Sequence, residues 1–138
     1  MSKTYNQALR ASGLPRLEAR LLLQQVSGLT HARLIADAEQ PIPESEQQKF
    51  QQLVEQRRAG APIAYLLGRR EFYGREFIVN QSVLIPRPET EHLIDTALQQ
   101  CGRQQKLNVL DMGTGSGILG ITLALEAPLW RVYASDVS

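Results

Sequence analysis

Three glycines, Gly115, Gly117 and Gly120, stand in the spacing G-x-G-x-x-G, with a fourth, Gly113, just ahead of them in LNVLDMGTGSGILG, residues 107–120. A loop of this kind between a strand and a helix lets a nucleotide-like ligand approach the backbone, because glycine places no Cβ in the way. Two acidic residues qualify the match. Asp111 ends the strand two residues before Gly113, so the full pattern is D-x-G-T-G-S-G. In a dinucleotide site the glycines cradle a pyrophosphate at a helix N-terminus, and a carboxylate so close to that anion is repulsive. S-adenosylmethionine has no phosphate. It carries an ammonium and a sulfonium, and an acidic strand end is compatible with both. Asp136 ends the next strand, about where a carboxylate accepts hydrogen bonds from both ribose hydroxyls. The bland alternative is a tight glycine turn with Asp136 capping a turn of its own.

These residues need elements to hold them. Leu107 to Asp111 reads as a buried strand, GILGITLALEA as an apolar helix and WRVYAS as a second strand. Strand, crossover helix and strand make a right-handed βαβ unit with a parallel sheet. Ahead of it, SVLIPRPETEHLIDTALQQCG places Pro86 and Pro88 around Arg87. Proline excludes helix up to that point, and Pro88 then suits the first turn of a helix carrying Glu89, Glu91, Leu93, Ile94, Ala97 and Leu98. REFYGREFIVN has two short aromatic and β-branched runs around Gly74, a hairpin pattern.

The first half reads as helices. Pro15 opens one that ends near Gly28, with Leu17, Leu21 and Leu22 on its apolar face. Thr30 caps a second. A third begins near Pro43, stripes Phe50, Leu53, Val54 and Arg57, and stops at Gly60, with acids in its first turn and arginines in its last. A short one lies between Pro62 and Gly68. The leucines are core, and His31 and His92, far apart and without metal-ligand companions, are surface residues.

Composition bounds the rest. A chain of 138 residues with 43% hydrophobic and 21% charged residues can bury one or two small cores. A net charge of +1 without a basic stripe gives no reason to expect direct nucleic-acid binding. One cysteine, Cys101, gives no disulfide framework and fits a reducing compartment. The N-terminus lacks the apolar stretch of a signal peptide, and no run approaches a membrane span. A cytoplasmic chain without membrane contact or bound metal is expected. The expected organisation is α + α/β: a helical bundle over 1–68, a β-hairpin and proline-rich linker over 69–88, and a βαβ unit over 89–138.

GRREFYGREF, VLIPRPETE, VLDMGTGSG and ASDVS, in this order behind a helical N-terminal region, closely resemble the PrmC/HemK family. These are the protein-(glutamine N5) methyltransferases of bacterial peptide chain release factors. The glycine loop alone indicates only a class I, Rossmann-like methyltransferase; Leu84 to Glu91 together with the loop narrows it to this family. The resemblance implies methyl transfer from S-adenosylmethionine to the glutamine amide of a Gly-Gly-Gln motif, with the helical region and linker helping to dock the release factor. Carried over position by position, Gly113, Thr114, Gly115, Ser116 and Gly117 form the cofactor loop and Asp136 holds the ribose. Leu84 to Glu91 borders the target pocket, although proline rigidity is by itself a sufficient reason for the PRP stretch.

One family motif, Asn-Pro-Pro-Tyr, does not occur in the sequence. An amide nitrogen is a poor nucleophile, its lone pair delocalised into the carbonyl. The family grips the amide N–H groups with the Asn side chain and a backbone carbonyl, which orients the nitrogen toward the methyl–sulfonium bond. No catalytic residue can be assigned here. The sequence is therefore expected to be the N-terminal portion of a longer, monomeric methyltransferase and inactive alone. Its incompletely covered C-terminal third is expected to self-associate or fray. Two other functions remain open: a nucleotide-dependent oxidoreductase that uses the same glycines, and a protein-interaction module working through the helices alone.

Overall fold

The computed structural model describes residues 2–137, which divide between Leu67 and Gly68 into two compact units. The first is all helical: α1 (Tyr5–Ala11), α2 (Arg16–Ser27), α3 (His31–Ala36), α4 (Glu44–Arg58) and α5 (Ile63–Leu67). The helix missing from the sequence reading is α1. Its signature is a capping box: the Thr4 hydroxyl accepts from the Gln7 N–H at 3.2 Å while the Gln7 side chain accepts from the Thr4 N–H at 3.0 Å. Thr30 caps α3 as expected, accepting from Arg33 N–H at 3.1 Å. Pro15 and Pro43 stand immediately before α2 and α4.

The core of this unit gathers Tyr5, Ala8, Leu22, Leu23, Leu34, Ile42, Phe50 and Val54. The apolar face of α2 is thus centred on Ala19, Leu22 and Leu23, and Leu17 is 56% exposed, which corrects its expected place in the core. Leu17 lies on the other side of the first turn from buried Ala19, outside the face that meets the neighbouring helices. Arg57 of α4 fastens this arrangement, donating from Nη2 to Glu18 Oε1 at 2.9 Å and from Nε to Oε2 at 3.3 Å. Both histidines are exposed, as the sequence implied.

The second unit opens with a hairpin, β1 (Arg69–Phe72) and β2 (Arg75–Ile78), paired antiparallel with Phe72 opposite Arg75. A two-residue loop, Tyr73 at φ 51° and Gly74 at φ 74°, closes it. Two positive φ values match the twist that tight hairpins require, and a non-glycine residue there carries a cost of about 1–2 kcal/mol. Tyr73 is held by the following helix: its N–H donates to Glu91 at 2.7 Å and its hydroxyl to Asp95 at 2.6 Å. After an irregular stretch, Pro88–Thr90 forms one 3-10 turn that leads into α6 (Glu91–Cys101). Ile94 and Leu98 are the buried face of α6, while Leu93 is exposed. Residues 69–88 fall within this second compact unit.

The chain continues as β3 (Asn108–Met112), α7 (Ile118–Glu126) and β4 (Arg131–Ser135). The two strands are parallel, with Asp111 opposite Ala134 and Met112 opposite Ser135. Glu126 at the end of α7 accepts from Arg75 of the hairpin at 2.9 Å and from Arg103 at 2.8 Å. The Arg75 hydrogen bond, aided by Arg103, holds its carboxyl below the ordinary carboxylate range. A lowered folded-state pKa stabilises the fold above the unfolded value and loses that contribution as the carboxylate protonates. Glu126→Gln is therefore expected to be less stable than the wild type at pH 7, with the gap closing as pH falls through the ordinary Glu value and below. Urea unfolding of both at pH 7 and about pH 3.5 measures this; a gap independent of pH would contradict it.

Candidate functional site

The glycine stretch forms one turn between the end of β3 and the start of α7. Gly113, Gly115 and Gly117 have φ of 69°, 59° and 83°, all in the left-handed region. A Cβ at Gly113 or Gly115 would meet no protein atom within 4 Å, so the backbone conformation requires glycine there. Gly120 differs. It lies inside α7, and a Cβ on it would stand 3.3 Å from Asp111 Oδ2 and 3.5 Å from Val132 Cγ1. Its smallness lets the helix approach the two strands.

Parallel pairing brings Asp136, which follows β4, beside this turn. The Thr114 N–H donates to the Ser135 carbonyl at 2.9 Å, the Gly117 N–H to the Thr114 carbonyl at 3.0 Å, and the Gly115 N–H to Asp136 Oδ2 at 2.6 Å. Asp136 Oδ1 accepts from the Val137 N–H at 2.7 Å. All six residues singled out from the sequence, Gly113, Thr114, Gly115, Ser116, Gly117 and Asp136, therefore lie in one neighbourhood. Gly113, Gly115 and Asp136 are exposed to solvent, and the site opens outward.

Asp111 has a role that spacing did not reveal. Its Oδ2 accepts from the Thr114 hydroxyl at 2.8 Å and from the Gly120 N–H at 3.1 Å. Chemically, the neighbourhood offers a carboxylate at a strand end, turned amides and a second carboxylate behind them. That set suits hydroxyl or cationic groups better than phosphate. Among the described residues no group of His, Cys, Asp and Glu is placed to hold a metal ion, and no helix is long and apolar enough to cross a membrane.

Leu84 to Glu91 runs from the irregular stretch through the 3-10 turn into α6, with Leu84 and Arg87 exposed. Glu91 itself is used on the hairpin, accepting the Tyr73 N–H.

Residues 3–68 match the family model described as the PrmC N-terminal domain. The chain is similar to a protein named release factor glutamine methyltransferase from Neisseria gonorrhoeae, 47% identical over 135 residues, covering 98% of this chain and 49% of the relative. Relatives of the same name from Bordetella pertussis and Bacillus subtilis are 45% and 42% identical, covering 91% and 94% of this chain and 47% and 46% of their own lengths. The chain spans about half the length of these curated relatives.

Proposed function

Because the chain belongs to the PrmC/HemK family of release factor glutamine methyltransferases, we propose that it forms the N-terminal half of an S-adenosylmethionine-dependent, cytoplasmic enzyme that methylates the glutamine amide of the Gly-Gly-Gln motif in peptide chain release factors. The observation that carries this reading is the meeting of the glycine turn with Asp136, seen in the Gly115 N–H bond to that carboxylate. A methyl donor without phosphate fits a loop backed by Asp111. In this reading 89–138 is the start of a Rossmann-like methyltransferase domain. Gly113 to Gly117 approach the cofactor, Asp136 takes the ribose hydroxyls, and the helical region over 1–68 docks the protein substrate.

The chemistry asks for more than these residues supply. The cofactor provides an electrophilic methyl on a sulfonium. The amide nitrogen has to be oriented in line with it, which is catalysis by position. No residue of this chain is assigned to grip the amide.

A chimera of residues 1–138 with the rest of the Neisseria gonorrhoeae relative, incubated with labelled S-adenosylmethionine and a purified release factor, is expected to label the Gly-Gly-Gln glutamine. The 138-residue chain alone is expected to transfer no label. An inactive chimera beside an active parent enzyme, or turnover by the chain alone, would count against the proposal.

A further inference from the structure

We infer that Asp111 is a positioning residue that caps α7 from outside the helix and thereby reserves the glycine turn for ligands without phosphate. The inference rests on the cofactor reading above for its ligand, but not for its geometry.

The start of α7 poses a specific problem. The first turn of a helix leaves N–H groups without partners inside the helix, and a side chain at the N-cap normally satisfies one of them. Here the N-cap is Gly117, which has no side chain and makes no side-chain capping bond. Its left-handed φ of 83° disfavours a Ser or Thr cap at this position. The missing acceptor comes from six residues upstream. Asp111 Oδ2 receives the N–H of Gly120, the third residue of α7, at 3.1 Å, and the same oxygen receives the Thr114 hydroxyl at 2.8 Å. One oxygen therefore fixes the strand end, the middle of the turn and the helix start.

The bond is made at close quarters. Gly120 lies close enough that any Cβ would stand 3.3 Å from that oxygen. Thr114 provides the hydroxyl that Ser or Thr alone could supply at that point of the turn. In the spacing D-x-G-T-G-S-G-x-x-G, the first and last residues are thus a donor–acceptor pair, and the glycines between them make the path.

The charge has a second consequence. A helix N-terminus attracts anions through its free N–H groups and the positive end of its dipole. That is where a dinucleotide's pyrophosphate would sit. Here a carboxylate of the protein already holds the Gly120 N–H and brings its own negative charge. A phosphate at this helix start would meet its repulsion.

Three measurements on the full chain separate these statements, with Asp111→Ala and Asp111→Asn compared. Asn keeps a carbonyl oxygen for both donors and removes the charge. First, without any ligand, amide exchange of residues 113–120 is expected to quicken about fivefold or more in Asp111→Ala and to stay near wild type in Asp111→Asn. Unchanged exchange in Asp111→Ala overturns the capping role. Second, inorganic pyrophosphate is expected to shift amide resonances of 113–120 in Asp111→Ala and not in the wild type. Equal shifts in both overturn the exclusion of phosphate. Third, the affinity for S-adenosylhomocysteine is expected to fall about tenfold in Asp111→Ala and to stay within about threefold of wild type in Asp111→Asn. Equal losses in both variants overturn the capping role in binding in favour of charge alone. Wild-type chain that ignores S-adenosylhomocysteine altogether would remove the cofactor reading, while the first two measurements still decide the role of Asp111. If Asp111→Ala fails to fold, Thr114→Val removes one of the two donors and is expected to give the same loosening in smaller degree; no loosening overturns the inference.

Discussion

In the longer enzyme, Asp136→Ala is expected to raise the dissociation constant for S-adenosylhomocysteine by about ten- to hundredfold, the equivalent of the roughly 1.5–3 kcal/mol of a charge-assisted hydrogen bond. Asp136 is exposed at the end of β4, so its removal leaves no buried gap, and the thermal unfolding of the chain is expected to change little. The carboxylate also receives the Gly115 N–H at 2.6 Å. Truncation to Ala therefore removes a contact of the turn together with a contact to the ligand. Asp136→Asn separates them. Asn can still accept from Gly115, but its amide nitrogen cannot accept from a second ribose hydroxyl. Its affinity is expected to fall as well, while exchange of the turn amides stays near wild type. Calorimetry or resonance titration measures the constants, and an unchanged affinity in Asp136→Ala would remove the residue from the site.

The second large effect concerns association. Among the described residues the β3–β4 sheet has two strands, each with one neighbour, and one of its faces is exposed. Leu110, Met112 and Tyr133 on that face are 59%, 77% and 51% exposed. Parallel strands are ordinarily covered on both faces, and an open edge pairs readily with another chain. The chain is expected to associate through residues 107–135 at concentrations of about 100 µM, with the helical region still folded. Sedimentation velocity would show the larger species, and Leu110→Lys with Tyr133→Lys is expected to return the monomer. A wild-type monomer at that concentration, with amides of 107–135 as protected from exchange as those of α2 and α4, would show that two strands and α7 suffice.

The chain displays its elements more openly than their contacts. Proline and glycine mark the bounds of α2, α4 and α5 because each acts within a residue or two of itself. The glycine turn and Asp136 were legible because strand, turn and helix follow one another directly, and parallel pairing returns the next strand to the same end. Leu17 misled because heptad-like spacing identifies a stripe but not which edge of it the neighbouring helices cover. The seven residues of α1 carry little periodicity, and its local signal is the capping box of Thr4 and Gln7. The Glu126 clamp on Arg75 and Arg103 joins residues up to 51 positions apart, and no local pattern announces it. Asp111 was visible as a charge. Its bond to Gly120 required knowing that Gly117 leaves α7 without a cap.

Resonance titration of the labelled chain with S-adenosylhomocysteine and, separately, with NADH tests the central claim most directly. The glycine turn and Asp136 are read as a site for a methyl-donor nucleoside. At about 1 mM ligand, enough to register weak binding, S-adenosylhomocysteine is expected to shift the amides of Gly113 to Gly117 and Asp136, and NADH to leave them in place. Shifts of those residues by NADH with none by S-adenosylhomocysteine would contradict the account.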